Sequence, residues 1–395
     1  MTLTRMFLII FAFSAISGLT ADEFFVDVDN GNDGSEGVRT SPLKTFPSAL
    51  SKAQPGDTIF ILPASHPINS SLVIRNKKGA PDKPIIIDGM MNTLVGTCRV
   101  SEKDWREVNS GTGLYHRQIK NARNVSRYFM CFNGRMERMG RHTKWKGAAP
   151  KKPEELKDYE WTIVGKSDFY FKIPAGMKLS GAQVEEPLFE SGVKMYDECA
   201  HLVVRNLIVR QFWNDGYNIH NNCRDILFEN IAALENSDDG VSAHETCQIK
   251  VKNMVSIGNG TGFCHVQQAE CDHENIYIAD SDSRDIYLLN SINRLKNVIV
   301  EGNAPGNMEF RTGKATLADC RFLNVRPGVQ LFFFQCDTQA ENVLFSGYAT
   351  AKELPAGFAS VSDPALLRQD IVASRNKIMA IFAGKLNLKP AQNAK

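Results

Sequence analysis

Six short segments of the chain restate one another every 21–24 residues: GYNIH (216–220), GVSAH (240–244), GFCHV (262–266), DIYLL (285–289), NMEFR (307–311) and GVQLF (328–332). Each alternates apolar and variable residues, as a strand with one buried face must. The apolar partners are Tyr217/Ile219, Val241/Ala243, Phe263/His265, Ile286/Leu288, Met308/Phe310 and Val329/Leu331. Second strands lie between them, among them HLVVRNLIV, RDILFENIA, CQIKVKNMV, ENIYIAD and KNVIVEG. A unit this short cannot bury its own apolar face. Stacked units can, by sharing one continuous core and hydrogen-bonding to the turn above and below. Helical repeats are disfavoured, because the internal period is two rather than 3.6 and β-branched and turn-forming residues dominate. The repeat therefore predicts a parallel β-solenoid.

The opening of the chain supplies a second sign. FFVDVDNGNDGSEGVRTSPLKTFPSALSKAQPGDTIFILPASH reads as strand, Gly/Asn/Asp-rich loop, short amphipathic helix, Pro-Gly turn and strand. A helix at that place would close the open end of a solenoid. The run GVRTSPLKTFPSAL before PGDTI, with PIIIDG at 84–89, resembles the start of secreted right-handed β-helix proteins of the pectin-lyase-like superfamily. The resemblance spans roughly residues 24–97 and 186–348. It implies an all-β fold, a right-handed single-stranded parallel β-helix. The segments are then 1–21 as a signal peptide, 22–103 as cap and first turns, 104–185 as a β-rich insertion, 186–348 as core turns and 349–395 as a C-terminal cap with a helix. Within the insertion, DYEWTIVGKSDFYFKIPAG reads as a hairpin, and FNGRMERMGR is similar to a passage that borders the substrate groove in carbohydrate-active β-helix proteins. DPALLRQDIVASRNKIMAIFAGKL has helical spacing with basic residues near its end.

Arg5 precedes the apolar run MFLIIFAFSAISG and then LTA before Asp22, the plan of a secretory signal. The run is short for a membrane span. The expectation is a mature protein that is secreted, extracellular or periplasmic, and monomeric, with no membrane partner. A net charge of +2, without a Lys/Arg run, gives no case for nucleic acid. Nine cysteines leave at least one unpaired within the chain. Cys199, Cys223 and Cys247 recur every 24 residues and read as a buried thiol ladder, a disulfide between stacked neighbours being the alternative. Cys271 keeps that spacing, but the strands around it do not.

Two of the repeats carry more than turns require. Asn214-Asp215-Gly216 is followed by His220, and Asp238-Asp239-Gly240 by His244 and Glu245. Aligned, Asp215, Asp239, Thr261 and Arg284 form one column, with Asn214 and Asp238 beside it. His220 and His244 lead a column continued by Val266, Leu289 and Arg311. Asn218, Ser242, Cys264, Tyr287, Glu309 and Gln330 form another, and the last two columns face outward. Residues in one column stack about 4.8 Å apart. Stacked aspartates repel, which raises the pKa of one and yields an acid beside a carboxylate. Glycoside hydrolysis uses such a pair. Asp-Gly also serves plain turns, so the competing reading is turn filler, but stacked like charges are costly in that role.

The pair NDG and SDDG is similar to the acid motifs of the polygalacturonase-type glycoside hydrolases. That resemblance implies general-acid and water-activating roles for Asp215, Asp238 and Asp239. The sequence departs where the family's histidine would stand, at Thr261, and has no clear counterpart of its Arg-x-Lys, although RLK occurs at 294–296. His220 or His244 would supply the missing part. The expected catalytic set is Asp215, Asp238, Asp239 and His244. Asn214, His220, Glu245, Arg284, Tyr287, Glu309 and Arg311 are expected to bind the carbohydrate, the two arginines suiting an anionic sugar. The leading expectation is a glycoside hydrolase without a required cofactor. The second is a polysaccharide lyase with Ca²⁺ held by Asp238, Asp239 and Glu245 and an arginine as base. The third is a non-catalytic carbohydrate-binding or surface protein.

Overall fold

In a computed structural model, which describes residues 21–119, 127–134, 136, 151–350 and 354–386, the expected coil is present. Strands stack in parallel into a right-handed β-solenoid of about seven turns. The short strands Val193–Tyr196, Tyr217–Ile219, Asp239–Ala243 and Thr261–Val266 lie side by side, and the last of them pairs with the start of the long strand Arg284–Gly302. The long strands Ala200–Arg210, Arg224–Leu234, Gln248–Ile257 and Glu270–Ala279 stack likewise. Inside runs one apolar core from Val26 to Tyr348, including Tyr217, Ile219, Val241, Ala243 and Phe263. The signal-peptide segment lies, but for its last residue, outside the described residues. Among the described residues no helix is long and apolar enough to cross a membrane.

The long strands bend at one corner by a shared device. Asn206, Asn230, Asn253, Asn275 and Asn297 all take the left-handed conformation, with φ between 51° and 59°. Asparagine tolerates that region better than other side-chain-bearing residues. Each side-chain amide then donates to the carbonyl of the asparagine one turn back, at 2.9–3.0 Å, from Asn297 to Asn275, Asn253, Asn230 and Asn206. The ladder begins on Asp88, which accepts from Asn206 at 3.0 Å.

Helix α1 (Phe46–Lys52) buries Phe46, Ala49 and Leu50 in the main core near the first strand, as the opening sequence predicts. Thr45 caps its N-terminus by accepting from the Ser48 amide. Helix α2 (Pro364–Ala380) corrects an expectation: it lies along the side of the coil rather than over its end. Its Leu367, Ile371 and Ile378, with Phe382 and Leu386 beyond its end, form one apolar cluster with Ile208, Ala232, Val255, Tyr277, Ile299 and Leu323. Those six residues form an apolar stripe on the outer face of the long strands, and α2 keeps it from water. The described residues between 97 and 187 leave the coil and form two small antiparallel sheets, including the hairpin Trp161–Val164/Asp168–Lys172. Trp105, Tyr128, Trp161, Phe169 and Phe171 make a separate core there.

The last turn departs from the alignment. Glu309 pairs with Phe332, not with Gln330, so Gln330 leaves its expected column. The Gln330 amide donates instead to Asn307 Oδ1 at 3.0 Å. The slip is two residues, which preserves inside and outside: Val329 and Leu331 stay buried.

Candidate active site

The Asp-Gly repeat is built by stacking. Gly216, Gly240 and Gly262 occupy one column, and none has a positive φ. A Cβ on Gly240 would sit 2.4 Å from Gly262 O and 2.4 Å from Ser256 Oγ, and one on Gly216 would sit 2.7 Å from Gly240 O. Glycine is therefore required by the close approach of neighbouring turns, not by turn conformation. This tight seam places the preceding residues, Asp215 and Asp239, one above the other. The Asp239 amide donates to Asp215 Oδ1 at 3.0 Å, and Asn214 Nδ2 donates to Asp215 Oδ2 at 3.1 Å.

Carboxylate oxygens of Asp215, Asp238 and Asp239 all lie within 4.8 Å of one another. Asp215 and Asp239 are 3% and 7% exposed, while the side chain of Asp238 retains 16%. Burial, then the charges of Asp239 and Asp238, push the Asp215 carboxyl well above the usual carboxylate range. Burial and the neighbouring Asp238 push Asp239 up to about 8, against the opposing pull of the Thr261 and Ser242 hydroxyls and of Arg127. Asp238 is ion-paired with the Arg127 guanidinium. At neutral pH the cluster thus holds a protonated Asp239 next to a carboxylate matched by a cation.

Arg127 has no sequence signature, because its partner is more than a hundred positions away. It comes from the insertion, and Ser237 Oγ secures it by donating to Arg127 O at 2.6 Å. Phe129, Cys131 and Met136 of the same segment pack on Trp213, next to Asn214 and Asp215. The FNGRMERMGR passage is described at 132–134 and 136, and the rest lies outside the described residues.

The remaining expected residues fall into two other groups. His220 and His244 do share a column, with rings stacked at 4.1 Å between centroids. They sit five residues beyond the aspartates along the short strands. Burial and the neighbouring His220 lower His244 to about 4, so it is neutral at working pH, and its Nε2 meets Ser242 Oγ at 2.7 Å. Glu245 lies beside His220, accepting from the Asn221 amide at 2.8 Å and meeting His220 Nδ1 at 3.3 Å. The expected oxygen set of Asp238, Asp239 and Glu245 is therefore not assembled; the acids that converge are Asp215, Asp238 and Asp239. His244 is nonetheless linked to the acids through Ser242, whose hydroxyl meets His244 Nε2 and also bonds the Asp239 carboxyl.

Arg284, Tyr287, Glu309 and Arg311 form the third group. Glu309, 5% exposed, pairs with Arg284 at 3.1 Å and with Arg311. Arg284 also stacks over the Tyr287 ring, 5.0 Å from its centroid. In register, Arg284 follows Thr261 and Asp239, two turns and about 10 Å from the acids. His265 points into the core, as its column predicts. All nine cysteines are free; Cys199, Cys223 and Cys247 form a buried ladder, and Cys271 falls in register with Ile249 instead. A cavity of about 560 Å³ lies in the insertion, between Arg117, Tyr128 and Glu186.

No family model matches the chain. No curated protein matches it either. Solved structures do. A complex of XylC with xylose aligns with a TM-score of 0.55 at 12% identity, over 84% of this chain and 70% of that one. Pectate lyase Pel9A aligns over 87% of this chain and 80% of that one, at 12% identity and a TM-score of 0.36. The family 28 exopolygalacturonase of Yersinia enterocolitica aligns over 86% and 78%, at 11% identity and a TM-score of 0.27. With the stacked parallel strands and the XylC likeness together, the chain has a right-handed parallel β-helix fold.

Proposed function

We propose that the protein is a glycoside hydrolase acting on a polysaccharide or oligosaccharide, with Asp238 and Asp239 as its reacting pair. The observation that carries this reading is the convergence of three aspartates in which one carboxyl is held protonated and its neighbour is matched by a cation. Asp239 donates a proton to the departing glycosidic oxygen. Asp238, the most exposed of the three, acts as the carboxylate that attacks or activates water. Asp215 fixes the Asp239 backbone by accepting from its amide. Arg127 orients Asp238. The likeness to XylC, whose structure is a complex with xylose, agrees with a sugar substrate.

A lyase requires a base that removes a carbon-bound proton and, in the Ca²⁺-dependent form, a cation site of several oxygen ligands. The triad of aspartates is one such candidate set, so this second reading keeps an observation in its favour. Product chemistry separates the two. The purified protein, incubated with neutral and uronate-containing polysaccharides, is expected to release reducing ends without unsaturated, ultraviolet-absorbing ends, and to do so in the presence of a chelator. Unsaturated ends that a chelator abolishes would establish the lyase instead. Retention on a carbohydrate gel with no product would favour a binding protein.

A further inference from the structure

The inward columns of the coil are mostly aliphatic or aromatic, but one level gathers two imidazoles and a thiol. Cys271 follows Leu202, Ile226 and Ile249 in its column, His273 follows Val204, Phe228 and Val251, and His265 follows Ile219 and Ala243. All three are buried, at 0%, 1% and 0% exposure, and Asn293, stacked one turn on from Cys271, is exposed by 1%. A nitrogen of each ring and Cys271 Sγ lie within 4.8 Å of one another.

Hydrogen bonding does not account for this group. His265 Nε2 and His273 Nε2 meet at 2.8 Å. A neutral imidazole has one N–H and one lone pair. Whichever ring donates, one Nδ1–H and one Nδ1 lone pair remain, and both Nδ1 atoms are buried without a partner. Asn293 donates to Ser291 Oγ at 2.9 Å, but its Oδ1 is also buried without one. Stranded polar atoms in so apolar a core call for a ligand or a water.

We propose that His265, Cys271 and His273 bind one copper(I) ion inside the coil, with Asn293 Oδ1 as an outlying fourth donor. Two imidazoles, a thiolate and a more distant amide oxygen are a set that copper takes. Charge selects the oxidation state. On binding, the Cys271 thiol gives its proton to solvent and a Cu–S bond forms, so the thiolate cancels the single charge of Cu⁺. A divalent zinc ion would leave one positive charge in the core. The strand's own acids cannot offset it, because Asp272 and Glu270 are outside the coil, bound to Arg294 at 2.7 and 2.8 Å. Ligands about 2.0 Å from one ion sit roughly 3.3 Å apart, so the two rings need part by only about half an ångström. The site is enclosed by the turns above and below, so the ion enters as the chain folds.

The test refolds the full chain anaerobically with Cu(I) or with Zn(II), removes loose metal with a chelator, and measures metal content and the X-ray absorption of the bound ion. The expected result is about one copper per chain with nitrogen and sulfur neighbours, reduced at least tenfold in Cys271→Ser and unchanged in Cys247→Ser, whose thiol belongs to the separate ladder. His273→Gln, which keeps a polar side chain there, is expected to show the same loss if Cys271→Ser does not fold. Copper below about a tenth of an equivalent, equal copper in Cys271→Ser or His273→Gln and the wild type, or zinc held in preference to copper, would overturn the proposal.

Discussion

At the scale of the residue, each part of the repeated Asp-Gly has its own cause. The glycines are demanded by backbone contact between turns, and the aspartates are not. Asp215 and Asp239 sit buried beside each other where Thr261 and Arg284 occupy the same column further on. The arrangement destabilises the folded chain in a way that depends on pH. Asp239 is held up to about 8 against the ordinary 3.8, so the folded chain keeps a proton that the unfolded chain releases. The cost is absent below about pH 4, grows between 4 and 8, and is constant above. Asp239→Asn is therefore expected to melt several degrees above the wild type at pH 8 and level with it at pH 4, by calorimetry. The same gain at both would mean that Asp239 does not carry this charge. The activity limb follows the same group with the opposite consequence. The protonated acid is the working form, so kcat/KM should hold below pH 8 and fall about tenfold per unit above it. A profile flat to pH 10 would contradict the assignment.

At the scale of the element, the coil rests on two seams, one of glycine and one of asparagine. Gly240→Ala must move the backbone of the next turn or the Ser256 hydroxyl, both 2.4 Å from the added carbon. A loss of about 1–3 kcal/mol is expected in urea unfolding, as for other overpacked sites. Asn253→Ala would break two bonds of the asparagine ladder and put alanine at φ 55°. It should cost about 1–3 kcal/mol, and an unchanged midpoint would show that the ladder is ornamental. These seams also mark what a sequence can disclose. Alternating apolar residues at 21–24 spacing fix the coil and its inner face, and they place Asp215 above Asp239. They do not fix register to better than two residues, because a slip of two keeps every side chain on its face, and Gln330 was misplaced that way. Nor do they show that Ser242 joins His244 to Asp239, a link made by side chains along the strand. Arg127 was illegible, since only the folded insertion brings it to Asp238.

At the scale of the whole molecule, a repetitive scaffold is made specific by what departs from it. The insertion delivers the cation that meets Asp238, and α2 seals the outer stripe from Ile208 to Leu323. Removing residues 354–395 would bare that stripe across six turns, and an exposed apolar surface of that length favours association. The truncated chain is expected to bind a hydrophobic dye and to elute as oligomers in size-exclusion chromatography; a well-behaved monomer would show that α2 is dispensable. The claim on which the functional reading depends is that the Asp238/Asp239 pair cleaves a glycosidic bond. It is tested most directly by turnover of wild type, Asp239→Asn and Asp238→Asn on whichever carbohydrate the wild type degrades, with circular dichroism to confirm that each variant is folded. The account predicts that both folded variants lose at least about 100-fold in kcat. Either variant working at the wild-type rate would contradict it.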